Sequence, residues 1–274
     1  MSNKPVNNSP LGIFDSGLGG LTVVKSLLRA LPDESIVYFG DTGRVPYGTR
    51  SRETIIKYSA QDINFLTTKD VKAIIIACGT ASSVALKHLE AQFDLPIIGV
   101  VSATAKAAAA ATKNNKIGVL GTNSTVNSGS YDLALQSINP EIQVFSQACP
   151  LFVPLVENNY TDKPAAKLIA ADYLSRLKEI GVDTIILGCT HYPLLKDIIS
   201  DIMGSDTALI DSGEPVANEV KALLTDSGIA ADIGNVANYQ YYVSDSTDNF
   251  SNLGSLFMER ELSGSLQMIN IEEY

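Results

Sequence analysis

Positive charge is scarce in this sequence of 274 residues, which carries 20 Lys and Arg against 30 Asp and Glu, a formal net charge of -10. Such a surface repels nucleic acids and anionic lipids, so we expect neither as a partner. Long apolar runs are also missing, which excludes a membrane-spanning helix. The first ten residues, Met1 to Pro10, are polar and lack the apolar stretch of a secretory signal. The sequence therefore predicts a cytoplasmic protein.

Cysteine is equally scarce, and the three residues Cys78, Cys149 and Cys189 lie far apart in the chain. An odd number cannot be fully paired within one monomer, so a disulfide scaffold is excluded and reduced thiols are expected. Apolar residues, in contrast, make up 45% of the chain. At this length they can fill the core of one large or two modest domains. We therefore expect a globular protein with a small-molecule partner.

Short apolar runs rich in β-branched residues alternate with longer helical patterns, which is typical of an α/β fold. Most of the runs lack polar alternation, as do strands that are buried on both faces of a parallel sheet. The predicted strands are residues 11–14, 36–39, 73–77, 97–100, 117–120, 143–145, 184–187, 208–210 and 239–243. The predicted helices are residues 21–30, 54–67, 102–112, 164–180 and 214–224. The expected architecture is parallel sheet covered by helices.

Similar strand-and-turn units recur in the two halves of the chain at a nearly constant offset. The matching pairs are residues 11–16 with 117–122, 73–78 with 184–189, and 97–100 with 209–212. We therefore predict two pseudo-symmetric parallel-sheet α/β domains with the active site in the cleft between them. The first domain is expected to comprise residues 1–100 and 211–274, and the second residues 101–210. In this arrangement the C-terminal tail returns to complete the first domain.

The duplication places Cys78 and Cys189 at equivalent points, each where a buried strand ends and a helix is expected to begin. Ligands of open α/β sheets bind beyond the carboxyl ends of the strands. A helix N-terminus favours the thiolate, so both thiols are expected to titrate early. Two thiols that flank one cleft suit a racemase, because one removes an α-proton while the other protonates the opposite face of a planar intermediate.

A packing role is the alternative for each cysteine, since free cysteine is among the most buried residue types. The equivalent contexts Cys-Gly-Thr and Cys-Thr-His favour a functional role for Cys78 and Cys189. Cys149 lacks such a context, because it precedes Pro150 and an apolar run. We interpret Cys149 as structural.

Five groups of residues also carry a family resemblance: residues 12–20 (GIFDSGLGG), Gly40 and Asp41 with residues 46–48 (PYG), Ala77 and Cys78 with residues 80–82 (TAS), residues 149–154 (CPLFVP) with Glu157, and residues 188–193 (GCTHYP). On these motifs, in this order, the chain resembles the bacterial glutamate racemases of the aspartate/glutamate racemase family. The resemblance implies a two-domain fold, no cofactor and no metal. It also implies interconversion of L- and D-glutamate, which supplies D-glutamate for peptidoglycan synthesis.

The resemblance assigns deprotonation of D-glutamate to Cys78 and of L-glutamate to Cys189, with help from Asp15, Glu157 and His191. By chemistry alone, Asp15 ends a buried strand before a Gly-rich turn, where it can accept a thiol proton, hold the substrate ammonium or cap a helix. His191 can shuttle protons near neutral pH beside Cys189. Without the resemblance, Glu157 would be interpreted as a surface carboxylate.

Binding a dicarboxylate requires positive polarity, yet the motif loops contain few basic residues apart from Arg44. We expect backbone N–H groups at the turns and nearby hydroxyls, including that of Tyr47, to hold the substrate. Each Ser and Thr can instead serve as a turn or cap residue. The predicted substrate-binding residues are Asp15, Ser16, Pro46, Tyr47, Gly48, Gly79, Thr80, Thr122, Thr125 and Thr190.

One position departs from the family pattern, because Gly79 stands where the family usually carries asparagine directly after its first cysteine. The amide that would contact the substrate is therefore missing. We predict that Gly79→Asn changes the Michaelis constant for glutamate more than it changes the mechanism.

Other functions remain open from the sequence. The Gly-rich turn at residues 15–20 could belong to a nucleotide-binding module, but it lacks the dinucleotide fingerprint and a Walker lysine. No loop offers a clear Schiff-base lysine for a pyridoxal enzyme. A cysteine hydrolase would leave the second equivalent thiol unexplained. Racemisation of aspartate or hydantoin and decarboxylation are closer alternatives within the same fold, and the acidic surface fits either a monomer or a homodimer.

Overall fold

The computed structural model describes residues 8–274. Residues 1–7, which belong to the polar segment predicted to lack a secretory signal, lie outside the described residues. The strands are β1 (Leu11–Asp15), β2 (Ile36–Gly40), β3 (Ala73–Ile76), β4 (Ile97–Gly99), β5 (Lys116–Gly121), β6 (Gln143–Ala148), β7 (Thr184–Leu187), β8 (Ala208–Ile210), β9 (Tyr239–Val243) and β10 (Ser265–Met268). The helices are α1 (Leu21–Ala30), α2 (Arg52–Thr67), α3 (Gly79–Gln92), α4 (Val100–Ala111), α5 (Asn123–Ser128), α6 (Ser130–Ile138), α7 (Phe152–Glu157), α8 (Pro164–Ile180), α9 (Lys196–Met203), α10 (Gly213–Asp226) and α11 (Thr247–Met258).

The strands form two parallel sheets, a six-stranded sheet in the order β10-β9-β2-β1-β3-β4 and a four-stranded sheet in the order β6-β5-β7-β8. The order β2-β1-β3-β4 therefore corresponds to β6-β5-β7-β8. The register also corresponds, because Leu11 lies opposite Ala73 in the first sheet and Ile117 lies opposite Thr184 in the second. The predicted α/β fold with two pseudo-symmetric parallel sheets is confirmed.

The C-terminal tail returns to the first sheet, as the duplication predicts. Strand β9 pairs with β2, and β10 pairs with β9. The six-stranded sheet therefore takes its strands from residues 11–99 and 239–268, and the four-stranded sheet from residues 116–210. The domain boundaries after residues 100 and 210 stay a prediction. Helix α10 packs on α1 of the first half and also contacts α4.

The ends of α1 and α8 follow directly from the local sequence. Helix α1 ends at Ala30, because the next residue, Leu31, precedes a proline and cannot easily remain helical. Helix α8 begins with Pro164 in its first turn, where no intrahelical N–H bond is needed, and ends before Gly181, whose φ of 73° is left-handed. The structure agrees with the predicted bounds of both helices.

The apolar core joins the two halves. Its largest cluster contains Ile13 and Val24 from the first half together with Ile185 and Leu187 from the second. Further clusters lie under α2 and α3 on one side and between β5, α4 and α6 on the other. Across residues 8–274, none of the helices is long and apolar enough to cross a membrane.

Candidate active site

The carboxyl ends of the two sheets meet at a cleft. Asp15 ends β1 and Cys78 follows β3, while Thr122 and Cys189 follow the corresponding strands β5 and β7. A cavity between them is lined by Ser16, Val45, Pro46, Tyr47, Gly48, Cys78, Gly79, Thr80, Thr122, Val153, Cys189, Thr190 and His191. The structure thus brings most of the predicted site residues to one cavity that both thiols line. Among the described lining residues none is Lys or Arg.

The cavity is nearly closed, with a volume of about 20 Å³. This space suits a water molecule and is too small for an amino acid. A neighbouring pocket of about 320 Å³ shares Val45, Pro46, Gly48, Thr122 and Val153 with it. An amino acid therefore does not fit in the space between the two thiols at the separation seen in this structure.

The first thiol is buried and holds its proton firmly. The Cys78 sulfur caps α3 by accepting from the Ala81 N–H at 3.4 Å, and the thiol donates to the Ser16 hydroxyl at 3.5 Å. Burial, together with the charge of Asp15, raises the pKa of Cys78 to about 12. The prediction of early titration is therefore wrong for Cys78, because desolvation outweighs the helix N-terminus.

Asp15 is completely buried beside this thiol. Its carboxylate accepts from the Gly17 N–H at 3.0 Å and from the Thr190 hydroxyl of the other half at 3.4 Å. Burial raises the pKa of Asp15, although the nearby charge of His191 and the hydrogen bonds oppose this. Because the N-cap residue of α1 is Gly20, a capping role for Asp15 is excluded there. A carboxyl group with a raised pKa is suited to accepting and releasing a proton.

The second thiol lies against a relay of two ionisable side chains. The Cys189 sulfur is 3.9 Å from His191 Nδ1, and His191 Nε2 is 3.0 Å from Glu157 Oε1. Burial alone would lower the pKa of His191, but its hydrogen bonds to Cys189 and Glu157 and their charges raise it to about 10. At neutral pH His191 is therefore an imidazolium, which places a positive charge beside Cys189.

Glu157 had no signal of its own in the sequence. It is the last residue of α7, 34 residues before His191, and its side chain is partly exposed. Only the family resemblance assigned it a role, because the contact with His191 is made by the tertiary fold.

Three threonine hydroxyls form a chain of hydrogen bonds between the two halves of the molecule. Thr80 Oγ1 of α3 lies 2.9 Å from Thr122 Oγ1, which lies 3.1 Å from Thr125 Oγ1. Thr122 also caps α5 by accepting from the Thr125 N–H at 3.2 Å, so its interpretation as a cap residue is correct. Thr125 is buried behind this pair and is not part of the cavity wall.

A buried network of ionic and hydrogen-bonded side chains holds the loop that contains Pro46. The Tyr47 hydroxyl donates to Asp41 at 2.5 Å and also lies 2.9 Å from a carboxyl oxygen of Asp62. The Arg44 guanidinium donates to the same two side chains at 2.7 and 3.0 Å. The Tyr47 hydroxyl is thus engaged with these carboxyl groups, and its contact with substrate stays a prediction. Arg44 likewise offers no charge to the cleft.

Some residues of the cleft were missed by reasoning from the sequence. Val45 and Val153 form apolar walls of the cavity. The Ser124 hydroxyl donates to the Gly48 carbonyl at 2.9 Å, across the two halves. Val45 precedes Pro46 and Val153 lies inside a quoted motif, but an apolar side chain in a motif gives no chemical signal.

The arrangement supports proton transfer at two faces of one carbon. One thiol is backed by Asp15, and the other by His191 and Glu157. Within residues 8–274, no three His, Cys, Asp or Glu side chains are grouped to bind a metal ion. A planar intermediate between Cys78 and Cys189 would meet an acid/base group on each face.

Comparison with known proteins agrees with this chemistry. The Asp/Glu/Hydantoin racemase family model matches residues 13–220. Glutamate racemase from Geobacter metallireducens is 45% identical over 262 residues, which cover 96% of this chain and 97% of that protein. The structure of glutamate racemase isoform RacE1 from Bacillus anthracis matches with a TM-score of 0.92 at 36% identity, over 96% of this chain and 98% of that chain.

A second solved structure is glutamate racemase from Francisella tularensis in complex with D-glutamate. It matches with a TM-score of 0.91 at 38% identity, over 98% of this chain and 100% of that chain. The family resemblance inferred from the motifs is thus confirmed. The chain belongs to the Asp/Glu/hydantoin racemase family and is a racemase.

Proposed function

We propose that this racemase interconverts L- and D-glutamate by proton transfer between Cα and two thiols, without a cofactor. The observation that carries the proposal is that Cys78 and Cys189 line one cavity at corresponding strand ends, each with its own acid/base partner. The names of the relatives at 45% and 38% identity support glutamate as the substrate.

In the proposed reaction the two thiols work in opposite senses. From L-glutamate, Cys189 as thiolate removes the α-proton, and Cys78 as thiol protonates the opposite face. The products are D-glutamate, a Cys189 thiol and a Cys78 thiolate. From D-glutamate the roles reverse, so Cys78 must first lose its proton, and Asp15 is the neighbouring base. His191 and Glu157 carry the proton of Cys189.

Substrate charge is balanced in this proposal mainly by dipoles. The first N–H groups of α3 lack intrahelical partners and favour a carboxylate, as does the positive end of the helix dipole. The hydroxyls of Ser16, Thr80, Thr122 and Thr190 complete the carboxylate contacts, and Asp15 faces the ammonium. A cavity wall with no Lys or Arg among its described residues supports this assignment.

The test follows each glutamate enantiomer in deuterium oxide without pyridoxal phosphate. We expect optical rotation to decay to zero from either side, with deuterium entering Cα of the inverted product. The same measurement on both aspartate enantiomers decides the substrate, and faster turnover of aspartate would replace glutamate in the proposal. Absence of both inversion and exchange with all four compounds would refute it.

The cellular part of the proposal follows from the same chemistry. Free thiols stay reduced in the cytoplasm, which is the proposed location. The proposed use of the product is peptidoglycan synthesis, so depletion of the protein should create a requirement for added D-glutamate. A homodimer is the proposed assembly, and sedimentation analysis separates it from a monomer.

A further inference from the structure

Gly79 touches the opposite half of the molecule backbone to backbone. It is the first residue of α3 and directly follows Cys78. A Cβ built at Gly79 would overlap the carbonyl oxygen of Gly188 and lie 3.2 Å from its carbonyl carbon. Gly188 directly precedes Cys189. The contact therefore joins the residue after Cys78 to the residue before Cys189.

Two other glycines of the first half make close contacts across the cleft, but with side chains. A Cβ at Gly48 would lie 2.6 Å from Thr122 Cβ, and one at Gly19 would lie 2.6 Å from His191 Nδ1. The Thr190 hydroxyl and the His191 ring that face Gly19 can rotate away from an added methyl group, whereas Thr122 Cβ and the Gly188 carbonyl are held by the backbone. Of these three glycines, Gly79 is the one whose nearest contacts across the cleft are backbone atoms.

We propose that Gly79 is a positioning residue, whose missing side chain sets the separation of Cys78 and Cys189 when the cleft is closed. The inference rests on the proposed two-thiol reaction. It also corrects the expectation drawn from the family pattern, because asparagine at this position cannot simply restore an amide contact. Its Cβ would first drive the two cysteine loops apart.

The displacement is large enough to affect catalysis. Relief of the overlap requires the loops to separate by roughly 1 Å, and a misplacement of this size can cost about 100-fold in rate. Each loop carries its thiol on the adjacent residue, so the separation is passed directly to both sulfur atoms. Removal of the α-proton requires one thiol close to the substrate, whereas inversion requires both thiols. Proton abstraction should therefore survive the separation better than inversion does.

The experiment compares Gly79→Ala, Gly79→Asn and wild-type protein in deuterium oxide. We expect inversion to fall about 30- to 100-fold in both variants. Deuterium in the recovered, uninverted substrate should fall less, so the ratio of exchange to inversion rises. Ser83→Ala, one turn further along α3 and outside the cavity wall, is the matched control and should stay within about twofold of wild type.

Folding is checked by thermal unfolding. Alanine is the better helix former, so Gly79→Ala should keep its melting temperature within a few degrees of wild type if the cleft can open. A second measurement does not depend on turnover, because the cleft admits iodoacetamide only when it opens. Alkylation of Cys78 and Cys189 should be at least about fivefold faster in Gly79→Ala than in wild-type protein.

The outcomes separate this inference from the proposed function. Wild-type protein that does not invert glutamate refutes the function, while faster alkylation of Gly79→Ala would still support the role of Gly79 in closure. Wild-type racemisation with unchanged inversion, exchange ratio and alkylation in both Gly79 variants overturns the inference alone. A gain in inversion by Gly79→Asn also overturns it.

Discussion

The two cysteine loops start from corresponding strands and continue differently. After Cys78 the chain enters the 14-residue helix α3, which the sulfur itself caps. After Cys189 it enters a short 3₁₀ turn at Tyr192–Leu195, preceded by His191. In the first half, burial keeps the proton on the Cys78 thiol. In the second half, the His191 imidazolium lies beside the Cys189 sulfur. Duplication supplied two equivalent positions, and the residues that follow each position supplied different chemistry.

This difference defines the resting state of the site. The pKa of Cys78 is raised to about 12 by burial and by Asp15, so this group is a thiol at neutral pH. His191, with a pKa raised to about 10 by Cys189 and Glu157 against the effect of burial, is an imidazolium. At neutral pH the site therefore holds a thiol on the Cys78 side and an imidazolium beside Cys189.

The largest expected effect comes from removing either thiol. Cys78→Ser and Cys189→Ser should each lower racemisation at least about 1000-fold, because a serine hydroxyl is too weak an acid to replace the thiol in proton transfer. Polarimetry with both enantiomers measures the loss. Cys149→Ser is the control and should retain turnover within about threefold. Full activity in either of the first two variants would remove that thiol from the mechanism.

A smaller effect should distinguish the partners of the two thiols. Asp15→Asn and His191→Asn should each lower kcat/KM by about 100-fold, the low end of the range expected for loss of one general acid or base. The enantiomers have equal free energies, so kcat/KM must fall equally in both directions.

The α-deuterium isotope effect shows which half is damaged. Asp15→Asn should increase the isotope effect on the reaction of D-glutamate, because abstraction by Cys78 becomes more rate-limiting. His191→Asn should increase it on the reaction of L-glutamate. The same isotope pattern in both variants would show that the partners are not divided between the thiols in this way.

The smallest expected effect concerns stability and pH. His191 has a folded pKa of about 10, above its ordinary value of 6.5. Its imidazolium therefore stabilises the fold fully below about pH 6.5, and this contribution is lost as the pH rises through 10. The difference in free energy of unfolding between wild type and His191→Asn should therefore shrink steadily as the pH rises from about 6.5 through 10.

Urea denaturation at several pH values measures this difference. Glu157→Gln provides the comparison, because it removes one of the two groups that raise the pKa of His191. Its effect should be in the same direction and smaller. A difference that does not change with pH would contradict the assigned imidazolium.

Much of the fold could be predicted because buried parallel strands are continuous apolar runs and because the chain repeats them. The strand β10 was missed because the segment has no apolar run. Of its four residues, Leu266 is half-buried and the other three are exposed. The helices α5, α6, α7, α9 and α11 were also missed. Three of them, α5, α7 and α9, are short, with six to eight residues each.

That Cys78, Cys189 and His191 lie at one cavity could be predicted from the sequence, whereas their catalytic roles stay a prediction. The surroundings of a side chain were not predictable where a distant partner decides them. Asp62 lies in α2, outside the quoted motifs, yet its carboxyl group lies 2.9 Å from the Tyr47 hydroxyl and, together with Asp41, occupies that group. Burial of Cys78 similarly reversed the expected direction of its pKa, because desolvation depends on the whole tertiary structure.

The return of β9 and β10 to the first sheet has a consequence for biosynthesis. A ribosome completes the strands of the second sheet at residue 210, when β2 still lacks its outer neighbour β9. The half that is translated first is therefore finished last. Until residues 239–268 emerge, β2 presents an unpaired edge, which is the kind of surface on which nascent chains associate and chaperones act.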